Sequence, residues 1–470
     1  MNPQAQFAEA QAVTLRDMLE ARERRVETQK ALLKKHRRTL VAFTLNIPGQ
    51  YKVFPLAQKT FAEGVEQIEW QMADMPLLER QLVAEQTGDE AYFIFDAPAE
   101  EVKRRSLAIE EGHPLGRLFD MDVFDFEGKA LRGENTGRSQ RTCIICGGPV
   151  WACSRSRTHS AEELALRVAA MMQDFFAAKY ADWTAEIAVR ALLYEVSATP
   201  KPGLVDRADN GAHRDMDIFT FINSAESLTP YFRDVTLRAI VYEGDVNALL
   251  PQLRFPGRRA ESAMLDATKG INTHKGAVFT FGLLCAAMGL VYARGLEASA
   301  DTLLNLCAQI AGGVSNELEN AQSMPKTNGE RAFSGFGLKG IRGEAAMGYP
   351  NIRQYGFPAL KKAVESGASL NDAGVMALVQ LIAHVEDTNI VARSNFDTLN
   401  EIRTRVAAFL EKNPSSAAVL SYCTELNKEF IEKGISPGGS ADLLAASYFL
   451  YFFHSDKRCG GALSICRQNR

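Results

Sequence analysis

Little in the chain points to one class of partner by composition alone. Its 53 Lys and Arg against 57 Asp and Glu leave a formal net charge of -4. That balance argues against a dedicated nucleic-acid binder, which is usually strongly basic, although local basic patches are still allowed. Long apolar runs are missing too. The longest uncharged one, 277–293, falls short of the roughly 20 residues that span a bilayer and reads as a buried core helix, so no membrane is expected. The first residues, Met-Asn-Pro-Gln-Ala-Gln-Phe-Ala-Glu-Ala, lack the charged and apolar regions of a signal peptide, and the expectation is a cytoplasmic protein. Its eight cysteines are then expected as reduced thiols. No internal repeat, low-complexity tract or flexible linker stands out.

What is there is an ordinary globular composition, 46% hydrophobic and 23% charged over 470 residues, enough for two to three domains. Texture changes along it. From about Leu40 to Trp151 the segments are short and often β-like, as in Thr39–Asn46 and Glu90–Asp96, separated by turn residues. From Ala161 onward apolar residues recur at helical spacing, over 161–179, 183–197, 216–243, 274–294, 299–319, 371–384, 396–411, 416–433 and 440–454. The expected architecture is multidomain, with an N-terminal α/β (mixed α+β) domain over 1–180 and a C-terminal all-α domain over 181–470. The boundary is placed near Tyr180–Trp183, where Asp182 is suited to cap a new helix.

In the first half, Gly116–Asp125 reads as a strand in which Phe119, Met121 and Val123 point one way and Asp120 and Asp122 the other. Two carboxylates held together repel unless a cation sits between them, and hard oxygen ligands suit Mg²⁺ in displacement at phosphorus. A solvent-facing edge strand is the plain alternative. Asn46-Ile-Pro-Gly-Gln-Tyr-Lys52 is either a simple turn or an amide and an amine placed for phosphate. Arg138, Arg141, Arg155 and Arg157 supply cations suited to polyphosphate. Cys143-Ile-Ile-Cys146, followed by Cys153 and His159, has the ligand types of a zinc site; with one Cys-x-x-Cys pair only, the preferred expectation is reduced cysteines shaping a turn around Gly147-Gly148-Pro149. Leu15–Arg38 is an amphipathic helix rich in Arg22, Arg24, Arg25, Lys34, Lys35, Arg37 and Arg38, either a solvated face or a docking surface for an acidic protein.

Together Glu20–Arg24, Phe43–Gly49, Gly116–Val123, Cys143–Cys146 and Ala152–Arg157 resemble the holo-citrate lyase synthase family over about 14–178. The resemblance implies nucleotidyltransferase-like chemistry: a phosphoribosyl-dephospho-CoA group passes to a serine of the apo-acyl carrier protein subunit of citrate lyase, and pyrophosphate leaves. Asp120 and Asp122 would hold Mg²⁺, with Asn46, Lys52, Arg117, Arg155 and Arg157 on the nucleotide.

In the second half, Glu195–Asp217 crowds Pro, Gly and charge between helical segments, and four more polar stretches follow: Thr268–Gly276, Ser334–Glu344, His384–Asn389 and Ser436–Asp442. Each lies near an expected helix end, and several such ends brought together make a polyphosphate site. Lys201, Arg207, Lys275, Lys339 and Arg342 add positive charge; Asp206, Asp215, Glu344, Asp387 and Asp442 are candidate Mg²⁺ ligands. Singly, each stretch also reads as a helix breaker or a cap. Gly335–Gly340 matches G-x-G-x-x-G, but no strand precedes it, so a dinucleotide loop is set aside. His384-Val-Glu386 lacks the Pro-Cys-x-x-Cys of a zinc deaminase. The acids and amides around His213, His274 and His384 suit Mg²⁺ better than zinc.

These strings resemble the triphosphoribosyl-dephospho-CoA synthase family over about 183–456. The resemblance implies that ATP and 3'-dephospho-CoA yield 2'-(5''-triphosphoribosyl)-3'-dephospho-CoA and adenine, with Asn272 and Asn389 joining the nucleotide-binding set. Such a ribosyl transfer through an oxocarbenium-like state needs a carboxylate, for which Glu195, Asp206 and Asp215 are candidates, and a proton donor, for which His213 and His274 are candidates. The expected whole is a bifunctional transferase that builds and installs a prosthetic group. Two alternatives stay open: service to a malonate decarboxylase carrier, and a non-catalytic nucleotide-sensing adaptor.

Overall fold

A computed structural model describes residues 3–131, 142–313 and 337–456. Arg138, Arg141, Gly335 and the end of the 299–319 segment lie outside the described residues. The chain divides into two compact units, Met1–Ala177 and Ala178–Arg470.

The first unit begins with helix α1 (Leu15–His36), started by a capping box between Thr14 and Asp17 and ended by Arg37 in the left-handed region at φ 52°. Strand β1 (Thr39–Leu45), helix α2 (Pro55–Gln71), strands β2 (Leu77–Val83) and β3 (Glu90–Phe95), helix α3 (Ala99–Gly112) and strand β4 (Phe119–Phe124) follow. The sheet order is β2-β3-β1-β4, and every pairing is antiparallel. The unit is therefore α+β, without the parallel crossovers that a strict α/β reading implies. One sheet face, with Val41, Phe43, Phe93, Phe119, Met121 and Val123, buries against α2 and α3. The other packs Leu40, Ala42, Tyr92 and Ile94 on Leu32 and Leu33 of α1. Strand β4 ends the sheet, and two buried side chains of α3 occupy its outer edge: Lys103 Nζ donates to Met121 O at 3.1 Å and Glu110 Oε1 accepts from Met121 N at 3.0 Å. That edge is closed to further pairing.

A short helix α4 (Val150–Ser156) precedes helix α5 (Ala161–Ser197), which is continuous. The expected break at Tyr180–Trp183 is absent: Asp182 caps nothing and instead pairs with Arg233. Tyr180, Ala181, Trp183 and Ala185 are buried, so this alanine-rich stretch keeps a packed helical face around one polar position.

The second unit is helical among its described residues. It contains α6 (Ile218–Ser227), α7 (Thr229–Ile240), α8 (Leu250–Ala267), α9 (Lys275–Arg294), α10 (Ala300–Ala311), α11 (Gly340–Ala346), α12 (Phe357–Glu365), α13 (Leu370–His384), α14 (Thr388–Arg393), α15 (Phe396–Leu410), α16 (Ser416–Lys433) and α17 (Gly438–Ser455). Starts follow local chemistry, with Asp217, Ser299, Ser369, Asn395 and Ser415 each accepting a backbone N–H as N-caps. Helix α9 is long and apolar enough to cross a membrane, yet 78% of its apolar window is buried in the fold, as expected of a core helix. It packs on α7, α10 and α17. Helix α8 escaped the sequence reading because Pro251 and Pro256 look like breakers; Pro251 sits in the first turn, where no N–H is needed, and Pro256 is buried inside the helix.

Candidate active sites

Four of the five polar stretches of the second unit meet at one cavity of ≈ 670 Å³. Thr268–Gly276 contributes Asn272 and Lys275, Ser334–Glu344 contributes Lys339, Arg342 and Glu344, His384–Asn389 contributes Glu386, Asp387 and Asn389, and Ser436–Asp442 contributes Gly439 and Asp442. The size suits a nucleotide. Glycine is demanded by close approach at the rim. A Cβ on Gly276 would collide with the Asp442 carboxylate, and one on Gly439 would stand 3.1 Å from Asp387 Oδ1. Asp442 thereby reaches the first turn of α9, where the backbone N–H of Ala277 bonds it, a favourable place for an anion.

The acids differ in what they have left to offer. Asp387 is buried and caps two helices at once: Oδ1 accepts from Asn389 N at 3.0 Å and Gly439 N at 3.2 Å, and Oδ2 accepts from Ser440 N at 2.8 Å and Ser440 Oγ at 3.0 Å. It knots α14 to α17. Glu344 accepts from Asn351 Nδ2 at 2.5 Å, and burial raises its pKa against those bonds. Burial, then the charges of Glu195 and Asp387, push Asp442 well above the usual carboxylate range. Glu344, exposed Glu386 and Asp442 all line the cavity, and Glu344 and Asp442 are each raised in part by a neighbouring carboxylate, which is the donor chemistry a divalent cation satisfies.

The Glu195–Asp217 stretch does not line that cavity. Glu195, Lys201, Asp206 and His274 are buried. Lys201 Nζ pairs with Glu195, and the Lys201 backbone N donates to Asp206 Oδ2 at 2.9 Å. Lys201 is thus spent on a buried carboxylate and is not an open cation for polyphosphate, while Arg207 donates to Asn371 Oδ1 at 2.8 Å. Burial, then Lys201, pulls His274 down to about 3; its Nδ1 meets Ser224 Oγ at 2.7 Å, and its Nε2 is buried without a partner. His213 is also lowered, by burial and then by Arg393, and its Nε2 meets Ser436 Oγ at 2.9 Å. Both imidazoles are neutral near pH 7 and offer N–H or lone-pair hydrogen bonds, with no stored imidazolium proton. Asp215 is exposed and, like Asp206 and His213, is not among the cavity's lining residues.

In the first unit, β4 shows the expected alternation: Phe119, Met121 and Val123 are buried and Asp120 and Asp122 are exposed. Register sets Asp120 opposite Thr44 and Asp122 opposite Ala42, and Thr44 faces Glu90 on β3. Arg25 of α1 pairs with Glu90 at 3.0 Å. Partial withdrawal from water and the Asp120 charge raise Asp122, against the attraction of Lys103 and Arg25. Lys52 is lowered by burial and by Arg25, and its Nζ donates to Ile47 O. Asn46 N bonds Leu118 O at 2.8 Å, which anchors the Pro48-Gly49 turn beside the start of β4. Arg117 reaches Thr142 O at 2.5 Å, Arg155 stacks over Trp151, and Arg157 ends α4 in the left-handed region.

The basic face of α1 is largely consumed. Arg24 pairs with Glu85, Arg25 with Glu90, Lys35 and His36 with Glu79, and Arg38 with Asp96. Arg22, Lys34 and Arg37 stay exposed. Around Gly147 at φ +71°, the cysteine turn forms as expected, with Gly147 N bonding Cys143 O at 2.9 Å. Cys143, Cys146 and Cys153 are free thiols, and the His159 imidazole beside it pulls Cys146 down to about 6. Sequence reasoning passed over Glu386, Arg403, Glu261, Arg254 and Arg258. The last three ride on α8, and Arg254, Arg258 and Glu261 line an adjoining cavity of ≈ 240 Å³ that shares Arg342 with the larger one.

Residues 181–459 match the family described as ATP:dephospho-CoA triphosphoribosyl transferase, CitG. Residues 13–175 match apo-citrate lyase phosphoribosyl-dephospho-CoA transferase, CitX. The chain is 32% identical to protein CitXG of Haemophilus influenzae over 95% of this chain and 98% of that protein. It is 31% identical to protein CitXG of Leuconostoc mesenteroides subsp. cremoris over 94% and 98%. Against 2-(5''-triphosphoribosyl)-3'-dephosphocoenzyme-A synthase of Pectobacterium atrosepticum it is 41% identical over 57% of this chain and 87% of that protein. The chain therefore belongs to the CitXG family of fused transferases, a CitX domain followed by a CitG domain in one polypeptide.

Proposed function

We propose that the second unit joins ATP to 3'-dephospho-CoA and that the first attaches the product to a serine of the apo-acyl carrier protein of citrate lyase. In the first reaction the ribose 2'-hydroxyl of dephospho-CoA bonds to C1' of the ATP ribose, the N-glycosidic bond breaks, and adenine leaves with a proton. In the second the serine oxygen bonds to the α-phosphorus, and pyrophosphate leaves. One observation carries the reading: four stretches far apart in sequence meet at a cavity whose wall sets Lys275, Lys339 and Arg342 against Glu344, Glu386 and Asp442. That mixture suits a triphosphate with its Mg²⁺.

Glu344, Glu386 and Asp442 fit Mg²⁺ by donor type, as do Asp120 and Asp122 in the first unit; Asp387, with its oxygens already bonded, serves better as the knot that shapes the wall. When bound, the ion supplies charge neutralisation on phosphate oxygens. The protein's own part is to aim Lys275, Lys339 and Arg342 at the triphosphate and to keep a carboxylate near the oxocarbenium-like carbon. The adjoining cavity with Arg254 and Arg258 gives the diphosphate of the second substrate its own cations. Glu195, whose charge bears on Asp442, and His274, which immediately precedes α9, act from behind this lining as part of its frame.

The test is incubation with ATP, dephospho-CoA, Mg²⁺ and either apo-citrate lyase or apo-malonate decarboxylase carrier. Adenine release and a mass increase on the citrate lyase carrier are expected. A chain that releases no adenine and modifies neither carrier sinks the reading, and preferential modification of the malonate decarboxylase carrier replaces its partner.

A further inference from the structure

We infer that Cys143, Cys146, Cys153 and His159 form a closed structural zinc site in the first unit. Their ligand atoms all lie within 4.8 Å of one another. A tetrahedral zinc with Zn–S bonds of ~2.3 Å sets its sulfurs ~3.7 Å apart, so the four groups need only a small contraction to ligate. Cys146 and Cys153 already stand 3.4 Å apart, Sγ to Sγ.

The local backbone builds this arrangement from three pieces. Cys143 and Cys146 flank a tight knuckle closed by Cys143 N to Gly148 O at 2.7 Å and Gly147 N to Cys143 O at 2.9 Å, with Gly147 at φ +71° making the turn. Cys153 comes from α4, whose end is capped by Arg157 bonding back to Cys153 O. His159 follows, just before the Ser160 and Glu163 capping bonds that open α5. A second observation points to a ligand: His159 Nε2 is buried and has no hydrogen-bond partner, a state that costs free energy unless something accepts the lone pair or proton. Three thiols cannot all pair as disulfides, and none does.

Three sulfurs and one imidazole select zinc over Mg²⁺, which prefers oxygen. Four protein ligands leave no open position, so the ion's work is mechanical. It clamps the knuckle to α4 and the start of α5. The knuckle in turn holds Arg117 through Thr142 O at 2.5 Å and is held by Arg167 through Ile144 O at 3.3 Å. Zinc would thus fix the segment bearing Arg155 and Arg157 and the Thr142 carbonyl to which Arg117 donates.

The experiment is elemental analysis of the full chain purified without chelator, with X-ray absorption at the zinc edge. About one zinc per chain in a shell of three sulfurs and one nitrogen is expected. Cys146→Ser and His159→Ala should each lose zinc to a chromophoric chelator at least ~10-fold more readily, whereas Cys285→Ser, a buried thiol in α9, should hold it like the parent. Cobalt-loaded parent should show thiolate-to-metal charge transfer that weakens in Cys146→Ser, which loses one thiolate. Metal-free parent with a Cys146–Cys153 disulfide by mass, an oxygen-dominated shell, or zinc retained equally by both site variants would overturn the assignment. Should a variant fail to fold, the parent's zinc content and shell still decide it.

Discussion

Asp442 carries the electrostatic tension of the second unit. Its pKa is raised in the folded chain by burial and by Glu195 and Asp387, so the folded state holds a proton that the unfolded chain gives up. Stability contributed at low pH is therefore lost as pH rises from the ordinary carboxylate range through the raised folded value. Asp442→Asn removes that penalty. We expect its thermal midpoint at neutral pH to match or exceed the parent's by about 2–4 °C, the shift that ~1 kcal/mol gives a domain of this size. Adenine release should fall by ~10²-fold or more. Scanning with and without Mg²⁺ checks the ion's place: the midpoint gain on adding Mg²⁺ should shrink in the variant. The buried Glu195–Lys201 pair makes the opposite case. Lys201→Ala leaves a buried carboxylate alone and should cost roughly 3–5 kcal/mol in urea unfolding, while Glu195→Gln combined with Lys201→Met should recover most of it. Equal loss in the double variant would show that the pair is not the source.

At the scale of elements, two helices have jobs the sequence states only in part. Gly276 lets the Asp442 carboxylate touch the start of α9. Gly276→Ala should cost ~1–3 kcal/mol through overpacking and should cut adenine release alongside, since the acid that must move is a cavity wall. A variant with full activity would place Asp442 outside the machinery. Helix α1 reads from sequence as either a solvated face or a docking surface, and its charges divide: those toward β2 and β3 are paired, while Arg22, Lys34 and Arg37 face out. Reversing these three to Glu should raise the carrier KM roughly tenfold with little change in kcat, and the effect should fade at high salt. Strand β4 was legible because period two needs only alternating residue types. Helix α8 was hidden because proline content hid a helix that tertiary packing tolerates.

At the scale of the whole molecule, each proposed site is built from residues of one unit. Mixing full-length Asp120→Asn with full-length Asp442→Asn should therefore restore carrier modification that neither gives alone, measured by carrier mass, because the intermediate is a small molecule that one chain makes and another uses. Failure of the mixture would mean that the product passes only within a chain.

The sequence by itself determined the family, the alternation of β4, the apolar core helix α9 and the five polar stretches, because those are properties of residue type and spacing. It could not say which polar side chains reach the cavity. Lys201 and Asp206 carry the same charges as Lys275 and Asp442, yet the first two are buried away from the cavity while the others line it beside Glu344 and Asp387, the last made framework by its four hydrogen bonds. Only the tertiary structure brings His159 to three cysteines, since a spacing fixes neither turn nor distance. It also carries α5 unbroken past Asp182, where packing of neighbouring apolar residues outweighs a capping residue's local preference.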